Sequence, residues 1–481
     1  TNHFIPRDGF KGLKENWRSD LFAAISVSLV ALPLALGIAV ASDMSPMAGV
    51  LSAIIGGVVT TFFRGGHLTI NGPAAGLIAA ILGGLVALDY NINYVLAAIV
   101  VSGGIQILLG VFKLGRFAKL LPSSVLHGIL AAIGVIIIAK QAPYALGTTS
   151  DADTVIGNLL DIFYKLPDAN PFVFIVALAG ILILVFYKKT NNKIIRAIPA
   201  PMWVLLLALP LVFGFDFFTE HSISFLGKSY GVGPKLLIDI PEDPLDCIMH
   251  PDFGMIGTMA FWLTVLSITT IASIVTLASA RAVDKLDPYK RTTNLNKDLI
   301  GVGISTMVSG ALGGLPITSV IVRSTVNVNN NAKTKWSNLY HGIFLILFVL
   351  ILAPVLRSVP LAALAAILVH TGFKLASPLV FKHAYDQGVE QLFFLSSTLI
   401  ITLFSNLLYG IMGGILITLI SHILLARVGF LPFFKMIYRS GSKVDRLENG
   451  SYDVKLKGIS NFLYALQLEK LLQEIPIGSV V

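Results

Sequence analysis

The chain has 481 residues, of which 55% are hydrophobic and only 13% charged, with a mean hydropathy of +0.82 and a formal net charge of +9. A soluble domain carries about 25% charged residues, and a soluble fold of this size has too little polar surface to cover so much apolar side chain. Composition therefore excludes a water-soluble globular protein. No basic run interleaved with aromatics points to nucleic acid, and the single cysteine, Cys247, permits no internal disulfide.

A bilayer span needs about 20 apolar residues. Full or partial spans are predicted near 21–41, 46–64, 73–88, 93–112, 121–139, 172–187, 201–215, 255–280, 298–312, 318–329, 337–355, 360–373, 389–406 and 408–426, about fourteen in all. The first apolar stretch follows a polar start and runs straight into the second, unlike a cleaved leader. Gly and Pro are frequent, which spanning helices tolerate because neighbours re-satisfy the backbone.

Basic residues set the orientation. Lys11, Lys14 and Arg18 precede the first span, and Arg64 follows the second. Lys113, Arg116 and Lys119 follow the fourth, and Lys188, Lys189, Lys193 and Arg196 the sixth. Arg281, Lys285, Lys290 and Arg291, then Lys333 and Lys335, Lys374 and Lys382, and Arg427, Lys435 and Arg439 continue the pattern after later even spans, with Arg357 as an exception. The segment after the seventh span is acidic, with Asp216, Glu220, Asp239, Glu242, Asp243, Asp246 and Asp252. The pattern places both termini in the cytoplasm and the acidic loop outside.

Two spans are short and interrupted. The third opens at Asn71-Gly72-Pro73-Ala74-Ala75-Gly76 and the tenth at Gly313-Gly314-Leu315-Pro316-Ile317-Thr318-Ser319. Taken singly, each reads as a Pro-kinked helix. As a matched pair seven spans apart, they point to an inverted repeat with a binding site at the midplane. Arg323 lies inside the tenth span, where a charge is costly and marks function or pairing. The eighth and tenth spans contain no acid, and in the first only Asp20 and Asp43 bracket the apolar run, so no intramembrane carboxylate offers itself as a partner. Two helix N-termini add partial positive charge and free N–H donors. Together with Arg323 they describe an anion site, with Ser26, Ser28, Thr69, Asn71, Thr318 and Ser319 as supplementary donors and Gly72, Ala74, Ala75 and Val320 forming the helix openings. The competing reading has Arg323 snorkelling to the cytoplasmic loop that begins at Asn329. His127 and His370, near span ends, read as packed or interfacial residues, and Asp284, Lys285 and Asp287 as a solvated stretch. No phosphate loop, zinc spacing or catalytic triad is present, so neither an enzyme nor ATP-driven pumping is indicated, and no cofactor or metal is expected.

Beyond about residue 427 the pattern changes. Residues 451–458 alternate like a strand, Asn461 to Glu474 read as an amphipathic helix, and Ile477 to Val481 read as a further strand. This predicts the start of a soluble domain over 428–481, after an N-terminal cytoplasmic segment over 1–20 and a transmembrane domain over 21–427.

Several motifs resemble one known pattern. Asp20-Leu21-Phe22-Ala23-Ala24 followed by Val30 to Leu36 resembles the first span of the SulP (sulfate permease) family. Asn71 to Gly76, Ala282-Val283-Asp284-Lys285-Leu286-Asp287-Pro288, and Gly313 to Asn327 are similar to its third, eighth and tenth spans in order, and the C-terminal segment resembles the start of its STAS domain. The resemblance implies an all-α polytopic membrane protein, with a seven-plus-seven inverted repeat of core and gate domains followed by the start of an α/β STAS domain. It implies a secondary transporter of small inorganic anions such as bicarbonate, sulfate or chloride, working by elevator-type alternating access. The anion would lie between the third and tenth spans, beside the first and eighth. It also implies a homodimer in the bacterial inner membrane.

One departure stands out. Many bacterial members carry an acid in the eighth span, where Val275 stands here, and Arg281 falls where relatives often have Glu. Val275 therefore marks a coupling position lacking its acid and favours uncoupled or exchange transport of a monovalent anion. The alternatives are an uncoupled anion channel or voltage-responsive prestin-like protein and, at greater distance, a nucleobase permease. The last would use carboxylates where this chain has none.

Overall fold

The computed structural model describes residues 5–7, 9–115, 122–150, 152, 154–190, 192, 195, 198–241, 248–425, 443–446 and 452–455. Each of the fourteen expected spans is a helix. The first seven are α1 Gly9–Ala41, α2 Pro46–Phe63, α3 Ile78–Ala87, α4 Ile92–Val111, α5 Ser123–Leu146, α7 Pro171–Phe186 and α8 Ala200–Gly214, with the non-spanning helix α6 Val155–Lys165 between α5 and α7. The second seven are α9 Met259–Leu286, α10 Leu295–Ala311, α11 Ile321–Asn329, α12 Trp336–Arg357, α13 Leu361–Leu375, α15 Val389–Phe404 and α16 Leu407–Leu425, with α14 Pro378–Gln387 preceding α15. Side-chain caps start several of them: Asn91, Asn170, Thr258 and Asn294 each accept a first-turn N–H.

Short strands interrupt the helical pattern. Strands β1 Asn71–Gly72 and β4 Thr318–Ser319 pair antiparallel, with Asn71 opposite Ser319 and Gly72 opposite Thr318. An outer hairpin joins β2 His221–Phe225 to β3 Lys228–Val232, and a terminal one joins β5 Lys443–Arg446 to β6 Tyr452–Lys455. The expected strand over 451–458 is thus present as β6 over Tyr452–Lys455, and β5 precedes it within the segment 428–481. The helix expected over 461–474 and the strand after it, Cys247, the acids Glu242, Asp243 and Asp246, and the cations Arg116, Lys119, Lys193, Arg196, Arg427, Lys435 and Arg439 lie outside the described residues.

The chain divides into two compact units. The larger comprises residues 1–115 and 133–377 and holds α1–α4, most of α5, and α6–α13. Its core joins α1 and α2 to α7, α8, α12 and α13 through Leu32, Leu36, Val50, Val176, Leu345 and Leu364, all buried. Small residues let helices close on one another, as lipid-embedded packing requires. A Cβ on Gly303 would lie 2.7 Å from the Gly103 carbonyl oxygen, so α4 and α10 cross backbone to backbone. The second unit, residues 116–132 and 378–481, packs α15 against α16 and the first turns of α5. Outward faces carry Leu350, Ile351, Phe404 and Leu424, each at least 65% exposed, which only lipid solvates without penalty.

Some loop charges turn out to be structural. Asp287 is buried and accepts two bonds from Arg291, at 2.7 and 3.3 Å, and Asp284 accepts from the Thr293 amide and hydroxyl. The stretch read as solvated is therefore a folded turn, in which the carboxylates organise the backbone between α9 and α10. Asp20 is also buried, accepting the Lys333 and Thr334 amides at 2.7 and 3.0 Å together with the Thr334 hydroxyl. It fastens the first helix to the turn before α12.

Candidate anion-binding site

The paired strands β1 and β4 each lead into an interrupted span. The chain leaves β1 through a tight turn at Ala75–Leu77 into α3, and leaves β4 directly into α11. Because the strands run antiparallel, the two helices leave in opposite directions from a common centre. The residues that should cap them are Ala74 and Val320, both extended and neither able to accept a hydrogen bond through its side chain. Ser, Thr, Asp or Asn normally fills such a position. No side chain closes either turn; on the α3 side the Leu77 and Ile78 amides donate to the Ala74 and Ala75 carbonyls, and the first-turn N–H groups of α11 are left to a ligand or solvent.

The ladder is held by a polar network at its edge. Asn71 Nδ2 donates to Ser319 Oγ at 3.0 Å, and Ser319 Oγ donates to Asp298 Oδ2 at 3.2 Å. Arg64 Nη1 donates to Asn71 Oδ1 at 3.2 Å, and the Gly66 amide donates to Asp298 Oδ1 at 3.2 Å. Arg64 is buried, so it is not the solvated loop cation that its place after the second span suggested. Asp298 is fully enclosed and lies within electrostatic reach of Arg64. The side chains of Asn71 and Ser319 thus organise the crossing of the two half-helices.

Arg323 differs from Arg64. It is fully buried, which removes the snorkelling alternative, and none of its three guanidinium nitrogens has a hydrogen-bond partner among the described residues. Its position depends on a missing side chain: a Cβ on Gly72 would come within 2.4 Å of Arg323 Nη1. Glycine at position 72 lets the guanidinium lie this close to β1, and any side chain there would push it away. The hydroxyl of Thr318, on β4, is likewise buried without a partner, as is that of Thr69.

Val275, on α9, also meets this region. A Cβ on Gly76 would sit 3.3 Å from Val275 Cγ2, so the position lacking its acid faces the opening of α3. Ser26 lies elsewhere. It donates to Asn330 Oδ1 at 3.3 Å and lines a cavity of about 820 Å³ with Val322, Val326, Tyr187, His370 and Lys374. This cavity runs beside the face of α11 that carries Val322 and Val326, and Arg323 does not line it. Ser28 is turned to His341. His127 bonds the Ser123 carbonyl at 2.7 Å, as an interfacial histidine would.

Sequence reasoning passed over Asp298 and His341. Asp298 is the only charged residue of the span 298–312 and His341 the only histidine of the span 337–355, which was the available signal.

The sulfate permease family matches residues 17–393. This chain belongs to that family. Among relatives, YvdB of Bacillus subtilis, named as a candidate sulfate transporter, is 27% identical over 417 residues, covering 86% of this chain and 75% of the relative. The bicarbonate transporter BicA of a Picosynechococcus species is 25% identical over 409 residues, covering 84% and 69%. The solved transmembrane domain of a cyanobacterial BicA superposes with a TM-score of 0.71 at 22% identity, over 84% of this chain and 98% of that one. The chain is therefore a multi-pass membrane protein of an anion-transporter family, not an enzyme. Family membership sets the nucleobase-permease alternative aside.

Proposed function

We propose that this protein is a secondary carrier of small inorganic anions, of the class that includes bicarbonate, sulfate and chloride. The anion binds at the uncapped N-termini of α3 and α11, with Asn71, Gly72, Ala74 and Ala75 on one side and Thr318, Ser319 and Val320 on the other. Arg323 supplies the positive field behind them. The observation that carries this reading is the buried guanidinium without a protein partner. An uncompensated charge in a low-dielectric interior costs several kcal/mol, and an anion held in the adjacent helix dipoles removes that cost.

Small size suits this arrangement, because backbone N–H groups and one cation neutralise a compact charge without a large cavity. The cavity bordered by Ser26 and Val322 serves as the access path from the side bearing the N-terminus. Transport proceeds by elevator motion, in a homodimer in the bacterial inner membrane with both termini cytoplasmic, and residues 428–481 begin a STAS-like domain. Val275 in place of an acid favours exchange or uncoupled movement over sodium or proton symport.

The test is flux into proteoliposomes of labelled bicarbonate, sulfate and chloride, each with and without sodium and pH gradients. Saturable flux of one anion, indifferent to both cation gradients and lost in Arg323→Gln, is expected. Non-saturating conductance would favour a channel instead. Flux that survives intact in Arg323→Gln would remove the reading.

A further inference from the structure

Arg323 shares its enclosure with a second unsatisfied group. His341, on α12, is fully buried, lies within electrostatic reach of Arg323, and has no partner at Nε2. Helix periodicity places it there. Asn338, three residues earlier on the same helix face, accepts the Asn71 amide at 3.0 Å, and Asn71 precedes the glycine against which Arg323 packs. His341 Nδ1 lies 3.1 Å from Ser28 Oγ. The Ser28 hydroxyl has one proton, and its shortest bond, 2.8 Å, goes to the Ala24 carbonyl. Nδ1 therefore carries the imidazole hydrogen and donates to Ser28, leaving a lone pair on Nε2.

A buried acceptor thus lies within electrostatic reach of a buried cation, and neither His341 Nε2 nor the three guanidinium nitrogens have a partner among the described residues. The buried acids Asp20 and Asp298 are committed elsewhere, Asp20 to Lys333 and Thr334 and Asp298 to Ser319 and Gly66. We propose that His341 is a positioning residue that stands in for the anion on Arg323 when the carrier is empty. Nε2 accepts a hydrogen bond from the guanidinium, directly after a side-chain rotation or through one water, and releases it when the anion arrives. This rests on the carrier reading above.

The consequence concerns the empty carrier. Its return step requires a conformational change with Arg323 unoccupied, and a neutral acceptor makes that state less costly. His341 therefore sets how much flux proceeds without a counter-anion. A histidine serves better than an acid here, because a permanent carboxylate would compete with the anion.

Two rates measured in the same proteoliposomes test this: uptake of labelled sulfate or bicarbonate into anion-free vesicles, and exchange into vesicles preloaded with the same anion. In His341→Ala the ratio of the first rate to the second should fall about tenfold, the low end for one hydrogen bond to a charged group. His341→Gln, whose amide oxygen reaches the Nε2 position, should restore the ratio. His341→Asn, which keeps only the contact with Ser28, should not. A histidine that merely packs would lower both rates in proportion, and an unchanged ratio overturns the inference. So does recovery by Asn rather than Gln, or a wild-type protein with no uptake into empty vesicles. The Gln and Asn variants carry the comparison if the Ala variant folds poorly. Loss of flux in Arg323→Gln together with an unmoved ratio sinks only the role of His341, whereas full flux in Arg323→Gln sinks the carrier reading itself.

Discussion

Gly72→Ala is the smallest change that reaches Arg323 without touching its charge. The new Cβ would lie 2.4 Å from Nη1 and 3.4 Å from Ala53 Cα. The second distance is an ordinary contact, and the first is not. The clash falls on the far end of a flexible side chain, so the guanidinium yields by about 1 Å to reach normal packing distance. It moves away from β1, and with it from the helix N-termini to which that strand leads. At an effective dielectric constant near 20, a unit charge about 4 Å from an anion contributes roughly 4 kcal/mol, and at about 5 Å roughly 3.3 kcal/mol. The difference, about 0.8 kcal/mol, is close to a fourfold loss of affinity. Anion uptake by proteoliposomes over a concentration series should show the half-saturation concentration rising roughly fourfold, with the melting temperature in detergent little changed. Arg323→Gln, which removes the whole Coulomb contribution, should weaken binding by about a thousandfold. An unchanged half-saturation concentration in folded Gly72→Ala protein would refute the idea that the position of Arg323 sets anion affinity.

Other outcomes follow from neighbouring contacts. Asp298→Asn removes a buried carboxylate that accepts from Ser319 and the Gly66 amide and should lower stability by about 2–3 kcal/mol, read as a fall in melting temperature. Ser319→Ala, which breaks two links of the same network, to Asn71 and to Asp298, should cost about 2 kcal/mol. Asp20→Ala strips the acceptor from two amides ahead of α12 and should cost about 2–3 kcal/mol, with Asp20→Asn recovering part of the loss in the same melting assay. Val275→Glu places a carboxylate at the opening of α3, and uptake should then acquire a dependence on pH or sodium; uptake as indifferent to both as before would remove the support for Val275 as the coupling position.

The spans were legible because a bilayer demands long apolar runs, and no tertiary contact can override that demand. All fourteen apolar stretches became helices, and the two Gly/Pro-interrupted ones became the short helices α3 and α11. Arg323 was legible for the same reason, as a charge with no acid in its own span or within the first and eighth. The strand pairing was not. Asn71–Gly72 and Thr318–Ser319 are two residues each, and what makes them strands is a partner more than two hundred residues away.

Local sequence also cannot tell a solvated charge from a buried one when both follow an apolar run. Arg64 read like Lys113 or Arg281, yet it is enclosed because the chain after α2 folds back toward the ladder, where Asn71 and three backbone carbonyl and amide groups of residues 66–69 receive the network. Asn71 and Ser319 read as donors for an anion with no sign that their side chains also bond each other, which only the fold revealed. Sequence by itself determined the solvent, the helices, the break points and the sign of the charge at the centre. Only the tertiary structure decided which polar groups are used to close the crossing and which are left unsatisfied. Hydrogen-bond satisfaction depends on distances between segments that are remote in the chain, whereas hydrophobic length is a property of each segment alone.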